Sequence, residues 1–414
     1  MTAANPTPSQ ATRAAPGAPT RSGLTAWIVI LAGVAAALYV GKLPPAIPAL
    51  QAALGLTFVQ AGFLLSLVQL ASMALGLVAG LMAEGLGLRR CVIGGLWLLA
   101  LAGLAGGFAQ SAAGLLALRA VEGVGVLLVT VPGPSLIRRS LPPSQLTRML
   151  GFWGAYMPFG TAAALLLGPA VIPAAGWQGW WWVVAAFSAL MALWMSAKVP
   201  ADPPRRASTA AGEPWPPRLT GTLAAAGPWL LALSFMVYSS QWLAVVGFLP
   251  SLYQRAGWGG ALGALLTAGV AGANIIGNVA AGRLLSRGVA APVLLWIGFA
   301  AMALGGVMAF AELTAAWPVP RYLGAVLFSA VGGLIPGTLF GLAPRLAPGE
   351  GRIATTVGWM QQLSAVGQVC GPPLVAAFAG WVGGWQFTWV LTAACCVAGA
   401  VLAGLIGRRL AQSG

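Results

Sequence analysis

Arg119 and Glu122 stand three residues apart inside the apolar stretch Ala112–Ile137. That spacing puts both side chains on one face of a helix. At about 1.5 Å per residue they lie about 10 and 15 Å from the start of the stretch. A charge at that depth in a bilayer costs several kcal/mol unless it is paired or wetted. Two readings follow. The pair is an intrahelical ion bridge that pins its helix to its neighbours. Alternatively, Arg119 faces a cavity and binds an anionic group, and Glu122 takes up the proton when the anion engages Arg119. The chain has no His, which removes His-based metal sites, Ser-His-Asp chemistry and His proton relays. Its four cysteines, Cys91, Cys370, Cys395 and Cys396, lack metal-ligand spacing and read as small hydrophobes without a disulfide. No catalytic residue, metal site or cofactor is expected.

Uncharged polar residues inside apolar stretches form the next layer of candidates. Tyr238, Gln241, Asn274 and Gln361 are placed to hydrogen-bond a solute near the middle of a membrane. Each has an alternative use as a bond to a neighbouring helix. A third group is Gly80, Glu84, Gly87, Arg89 and Arg90, in a short turn between two apolar stretches. An acid beside an arginine pair in a glycine-rich turn suits a gate, in which Glu84 meets a base or a helix N-terminus. The turn also fits a topology signal. Gly123-x-Gly125 is not a nucleotide loop, because no Lys-Ser/Thr follows it and it lies in an apolar stretch.

The elements that hold these residues follow from composition. Of 414 residues, 59% are hydrophobic and 7% charged. A soluble chain carries about a quarter charged residues, so so little charge cannot cover a water-facing surface. Twelve apolar stretches, each near the 20 or so residues that span a bilayer, divide six and six around one long polar segment. The expected organisation is a disordered tail over 1–23, a first six-helix bundle over 24–197, a linker over 198–227, a second bundle over 228–406 and a tail over 407–414. The fold class is an all-α membrane protein with two pseudo-symmetric six-helix bundles.

Charge distribution supports this count. The balance is 21 Lys+Arg against 6 Asp+Glu. With twelve crossings, every base except Lys42, Arg119, Arg255 and Arg321 falls on the side of the chain ends. By the positive-inside rule that side is the cytoplasm, and Lys42 is expected in a loop on the other. Bases scattered in ones and twos read as topology signals and exclude a nucleic-acid partner. Trp177, Trp180, Trp181 and Trp182 read as interfacial anchors. The halves also repeat: Gly80, Ala83, Gly85, Leu88 and Arg90 align with Gly277, Ala280, Gly282, Leu285 and Arg287. Gly176-Trp177-Gln178 returns as Gly384-Trp385-Gln386.

With these residues in place the sequence resembles the major facilitator superfamily over about Leu24 to Leu405. Gly80, Ala83, Glu84, Gly87, Arg89 and Arg90 match its pattern between the second and third helices, with Glu84 in place of Asp. Arg119-Ala-Val-Glu122-Gly123-Val-Gly125 matches its fourth-helix pattern, with Glu for Gln. The fifth-helix motif of drug/proton antiporters is not matched. Leu43-Pro44-Pro45, Phe248-Leu249-Pro250 and Gly371-Pro372-Pro373 are similar to the cyanate/nitroimidazole permease-like branch. The resemblance implies a monomeric secondary transporter rocking its bundles about a midplane site, in a bacterial-type inner membrane. Its partners would be the bilayer, a proton and a small-molecule substrate, expected to be a small anion or polar organic compound taken up with the proton. The alternative is a proton-coupled exporter of amphipathic drugs.

Overall fold

A computed structural model describes residues 21–56, 58–202, 215–255, 257–258 and 260–412. The tail expected over 1–23 therefore lies almost wholly outside the described residues, as does the centre of the linker. The helices of the first half are α1 (Arg21–Gly41), α2 (Ile47–Leu54), α3 (Phe58–Leu86), α4 (Leu88–Gly106), α5 (Ala112–Thr130), α6 (Gly133–Ser140), α7 (Pro143–Gly154) and α8 (Tyr156–Lys198). After the short α9 (Trp215–Ala224) come α10 (Ala226–Arg255), α11 (Gly260–Ser286), α12 (Ala291–Phe310), α13 (Pro318–Gly332), α14 (Leu334–Leu346), α15 (Ile353–Trp381) and α16 (Thr388–Gln412).

Among the described residues, ten helical stretches are long and apolar enough to cross a membrane. One of them, Pro143–Lys198, is 56 residues long and contains two crossings. The chain reverses at Gly176, whose φ of 71° is a left-handed conformation open to glycine. Gly160 and Gly168 run alongside Ala37 and Pro45, whereas the arm beyond the turn returns until the Ser196 carbonyl meets Arg89. The shorter apolar run Leu67–Ala83 inside α3 supplies another crossing. The result is twelve crossings in two bundles, α1–α8 and α10–α16.

Proline and glycine break the regular helices where they must. The fourth crossing bends between α5 and α6 at Val131-Pro132, because a proline ring removes one backbone bond and crowds the preceding turn. The first crossing ends at Gly41, and Pro44-Pro45 starts a single 3-10 turn before α2, which holds Pro48.

The bundles meet along two seams, α3 with α15 and α7–α8 with α11 and α14. On one, α3 lies against α15: a Cβ on Gly80 would overlap the Ala354 carbonyl, and one on Gly76 the Gly358 carbonyl. On the other, Gly151 of α7 faces Gly282 of α11 backbone to backbone. Small residues permit such approach where lipid offers no hydrophobic drive for helix association. Hydrogen bonds extend the α3–α15 seam, from Gln362 Oε1 accepting the Leu77 N–H at 3.0 Å to Gln69 Nε2 donating to Gln368 Oε1 at 2.9 Å.

Candidate functional site

The centre of the first bundle holds three charges. Lys42 Nζ donates to Glu122 Oε1 at 2.6 Å, and Arg119 Nη1 donates to Glu122 Oε2 at 2.7 Å. All three side chains are at most 2% exposed. Arg119 is further held by carbonyls of two neighbouring helices: Nη1 donates to Tyr39 at 2.6 Å, and Nε to Leu64 at 3.0 Å. Each carboxylate oxygen thus has its own cation, and the guanidinium clamps α5 to α1 and α3.

Lys42 corrects the sequence reading. It follows the last residue of α1 directly, and its N–H completes that helix by bonding to the Leu38 carbonyl. The ammonium folds inward, 4.2 Å from the centre of the Tyr39 ring and 4.5 Å from that of Trp181. Aromatic faces carry negative quadrupole density, so they replace part of the lost hydration. The Lys42 carbonyl accepts the Trp180 indole N–H at 3.0 Å, and Tyr39 Oη donates to the Leu99 carbonyl at 2.7 Å. Trp177, Trp180 and Trp181 are consequently buried and not interfacial anchors; Trp182 alone of the four is exposed. An indole needs a partner for its N–H when buried, and for Trp180 the end of α1 supplies it.

Charge counting over the whole chain sharpens the site. Its six acids are Glu84, Glu122, Asp202, Glu213, Glu312 and Glu350. Among the described side chains only Glu122 lies within the depth of a crossing, and there one carboxylate faces two bases. The cluster holds a net positive charge away from water.

The remaining polar candidates are separated. Tyr238 Oη accepts from Asn274 Nδ2 at 2.9 Å, and that same amide donates to the Ser329 carbonyl at 2.7 Å. The pair thereby ties α10, α11 and α13 together inside the second bundle. Asn278, one turn on from Asn274, donates back to it at 2.9 Å. Gln241 turns toward α16, where its Oε1 accepts from the Cys396 thiol, and its amide bonds the Val237 carbonyl of its own helix. Gln361 alone of the four reaches the seam between bundles, donating to Tyr156 Oη at 3.2 Å. Gln69, Gln362 and Gln368 stand on the same seam.

At the face carrying the chain ends, Gly87 turns the chain from α3 into α4 with φ of 109°. The carboxylate that the turn needs comes from Asp202, in the segment read as linker. Its oxygens accept the backbone N–H groups of Arg89 at 3.1 Å and Arg90 at 3.0 Å, the second and third amides of α4. Arg139 of α6 adds an ion pair at 2.6 Å. Helix N-termini favour such anions because their first amides lack intrahelical partners. The Glu84 side chain lies outside the described residues. Gly80 packs on α15 as described, and Arg138 of α6 pairs with Glu350 just before α15, joining the bundles across this face.

Two bundles of six crossings, close-packed through glycines on two seams, with buried charge enclosed in one bundle, define a membrane carrier architecture. The family model for the Major Facilitator Superfamily matches residues 28–369, and the chain belongs to that superfamily. It is not an enzyme.

Relatives and solved structures extend the comparison. The chain is 32% identical to the methylenomycin A resistance protein of Streptomyces coelicolor over 124 residues, 30% of this chain and 25% of that one. It is 26% identical to the Aspergillus fumigatus multidrug transporter mfsC over 35% of this chain and 28% of that one. The aligned stretch spans about a quarter of the length of these relatives. Among solved structures, FucP, the fucose:proton symporter of E. coli, superposes in its outward conformation with a TM-score of 0.73 at 17% identity, covering 93% of this chain and 99% of that one. The human organic anion transporter MFSD10 gives 0.77 at 15% identity, over 92% and 99% of the two chains. At these identities the likeness is one of fold.

Proposed function

We propose that this transporter carries a small anionic or polar organic solute together with a proton, as uptake across a bacterial-type inner membrane. The observation that carries the reading is one carboxylate held between two buried bases. If Glu122 alone took a proton, two cations would share a site of low dielectric with no counter-charge, which is costly. An anion arriving at Arg119 removes that cost. Proton and anion therefore favour each other's binding, and linkage makes the preference reciprocal. In this reading Glu122 is the proton site and Arg119 exchanges Glu122 for the anion.

Gln361, with Tyr156 on the seam between bundles, would meet the polar part of the solute. Tyr238 and Asn274 would line the same path from the second bundle. Gln241 would contribute once α16 moves. Gly80, Glu84, Gly87, Arg89 and Arg90 would form the cytoplasmic gate, with Asp202 as its fixed carboxylate. The basic face, and with it both chain ends, would be cytoplasmic. The symporter and organic-anion names of FucP and MFSD10 are in keeping with this reading.

Export of amphipathic compounds is the second reading, favoured by the resistance and multidrug names of the curated relatives. Proteoliposomes with an imposed proton gradient separate the two. Small carboxylates, neutral analogues and cationic amphiphiles are offered in turn to the wild type, Glu122→Gln and Arg119→Ala. The wild type is expected to accumulate a carboxylate. Glu122→Gln should still exchange it across the membrane but no longer accumulate it, and Arg119→Ala should do neither. Undiminished accumulation by Glu122→Gln would sink the coupling role. Gradient-driven movement of cationic amphiphiles alone would establish the export reading.

A further inference from the structure

We infer that Lys42 is the proton relay of this carrier, an inference that rests on Glu122 as the proton site. Lys42 hands its ammonium proton to Glu122 and is reloaded from the face opposite the chain ends. Glu122 is 1% exposed, so its proton comes through a neighbour. Two donors among the described residues meet its carboxylate, Lys42 Nζ at Oε1 and Arg119 Nη1 at Oε2. A guanidinium does not deprotonate in a protein. An ammonium does, and buried lysines serve as bases for that reason. The Tyr39 hydroxyl is committed to the Leu99 carbonyl. Lys42 is therefore the neighbour able to release a proton, and its Nζ stands 2.6 Å from the oxygen that would receive it.

The place of Lys42 in the fold joins Glu122 to the outside. α1 starts on the face of the chain ends, and Lys42 follows its last residue, so its backbone lies toward the opposite face. Pro44, two residues on, is exposed. The Lys42 carbonyl accepts the indole N–H of Trp180, four residues beyond the Gly176 turn on that same face. From there the stem runs inward to Glu122, midway along α5. One side chain covers the distance from the rim to the buried acid.

The transfer balances. The Nζ–H bond breaks, its electron pair stays on Nζ, and an Oε1–H bond forms. Acid and amine are then both neutral, and the net charge of the cluster is unchanged. The amine next takes a proton from hydronium at the outer face, and the anion at Arg119 offsets the charge that this adds. Nζ carries three rotatable donors. Its other neighbours are the faces of Tyr39 and Trp181, so it can turn without breaking a directed hydrogen bond to them. Among the described residues, the titratable and charged groups around it are Tyr39 of α1 and Arg119 and Glu122 of α5. α8 presents indoles and the Ser188 hydroxyl, which bonds Tyr39.

Time-resolved infrared spectroscopy of the full chain in lipid vesicles tests the relay without any solute. The signal is the carbonyl stretch of a protonated carboxyl after a step to acid pH. The wild type should gain a band that Glu122→Gln lacks. Lys42→Arg keeps the charge but has no proton to give. It should gain the same band about a hundredfold more slowly, the scale of a positioned proton-transfer group. A merely structural lysine would be replaced by arginine without that delay. If Lys42→Arg does not fold, Lys42→Gln, whose amide is no acid, should show the delay. A folded Lys42 variant that gains the band at the wild-type rate overturns the relay and leaves Glu122 as the proton site. An absent band in the wild type, or one that persists in Glu122→Gln, overturns the proton site and the relay together.

Discussion

The Lys42–Glu122–Arg119 cluster sets up a specific energetic test at the scale of single residues. Removing one member of a buried ion set leaves an uncompensated charge, a loss of about 3–5 kcal/mol, whereas replacing both partners with apolar groups is often neutral. Lys42→Met keeps the length of the stem but leaves Glu122 with Arg119 alone, and Trp181 loses the ammonium over its ring. Thermal melting in detergent should show a large drop for Glu122→Leu, which strands both bases. The drop should be smaller for Lys42→Met, because Arg119 still neutralises the acid. The double variant should melt above Glu122→Leu. If Lys42→Met is the more damaging of the two single changes, the cluster is not organised around its one carboxylate. Arg119 and Glu122 were legible in the sequence, because a charge in an apolar run announces itself. Lys42 was not. It falls just past the last residue of a span and before Pro44-Pro45, where loops are expected. The signal available was the single acid opposite a base at the far end of the neighbouring crossing. That signal becomes visible only when helix lengths place the two at one depth.

At the scale of elements, Asp202 closes a joint among α4, α6 and the end of α8. Its carboxylate takes the second and third amides of α4 and the Arg139 guanidinium, which holds three elements with one side chain. Asp202→Asn keeps an acceptor but loses the charge, and should cost about 1–2 kcal/mol in local stability. Hydrogen exchange should accelerate at the first turn of α4 while the middle of that helix stays protected. Exchange unchanged at Arg89 and Arg90 would show that the turn is held by Gly87 geometry alone. Most elements were legible here. Apolar length gave the crossings, but the bend at Pro132 inside the stretch Ala112–Ile137 did not show. What escaped was the short helix α9 and the carboxylate at Asp202. Both lie in a stretch whose polar composition reads as linker, since composition reports solvent exposure and not the helix end a lone acid reaches. The tryptophans after Gly176 were misread for a related reason. Their clustering near a span end fits an interface, and only packing shows that three of them turn inward, Trp180 and Trp181 onto Lys42.

At the scale of the whole molecule, the two bundles depend on glycine seams for their contact on the basic face. Gly80→Leu should force α3 away from Ala354 of α15 and shift the carrier toward the state open on that face. Cysteine accessibility reports this directly. A cysteine placed at Thr355, which is buried, should react with a water-soluble maleimide severalfold faster in the Gly80→Leu background. Equal reactivity would show that the seam does not govern closure. The pseudo-symmetry was plain in the sequence from paired motifs. The seam partners were not, because which glycine meets which backbone depends on how the bundles are docked.

On the proposed reading, the excess of one base over acid in the Lys42–Arg119–Glu122 cluster makes the empty carrier responsive to voltage. Moving one elementary charge through the full membrane field changes the energy by about 2.3 kcal/mol per 100 mV. The cluster sits inside the hydrocarbon, and rocking shifts which aqueous face it is nearer to in electrical terms. Only part of the field is crossed, so the membrane potential contributes a fraction of that energy to reorientation. A carrier that binds a proton on Glu122 and an anion on Arg119 keeps the same net charge as the empty one. Loading leaves that electrical contribution intact on every half-turn, and the voltage biases which face the carrier prefers regardless of what it holds.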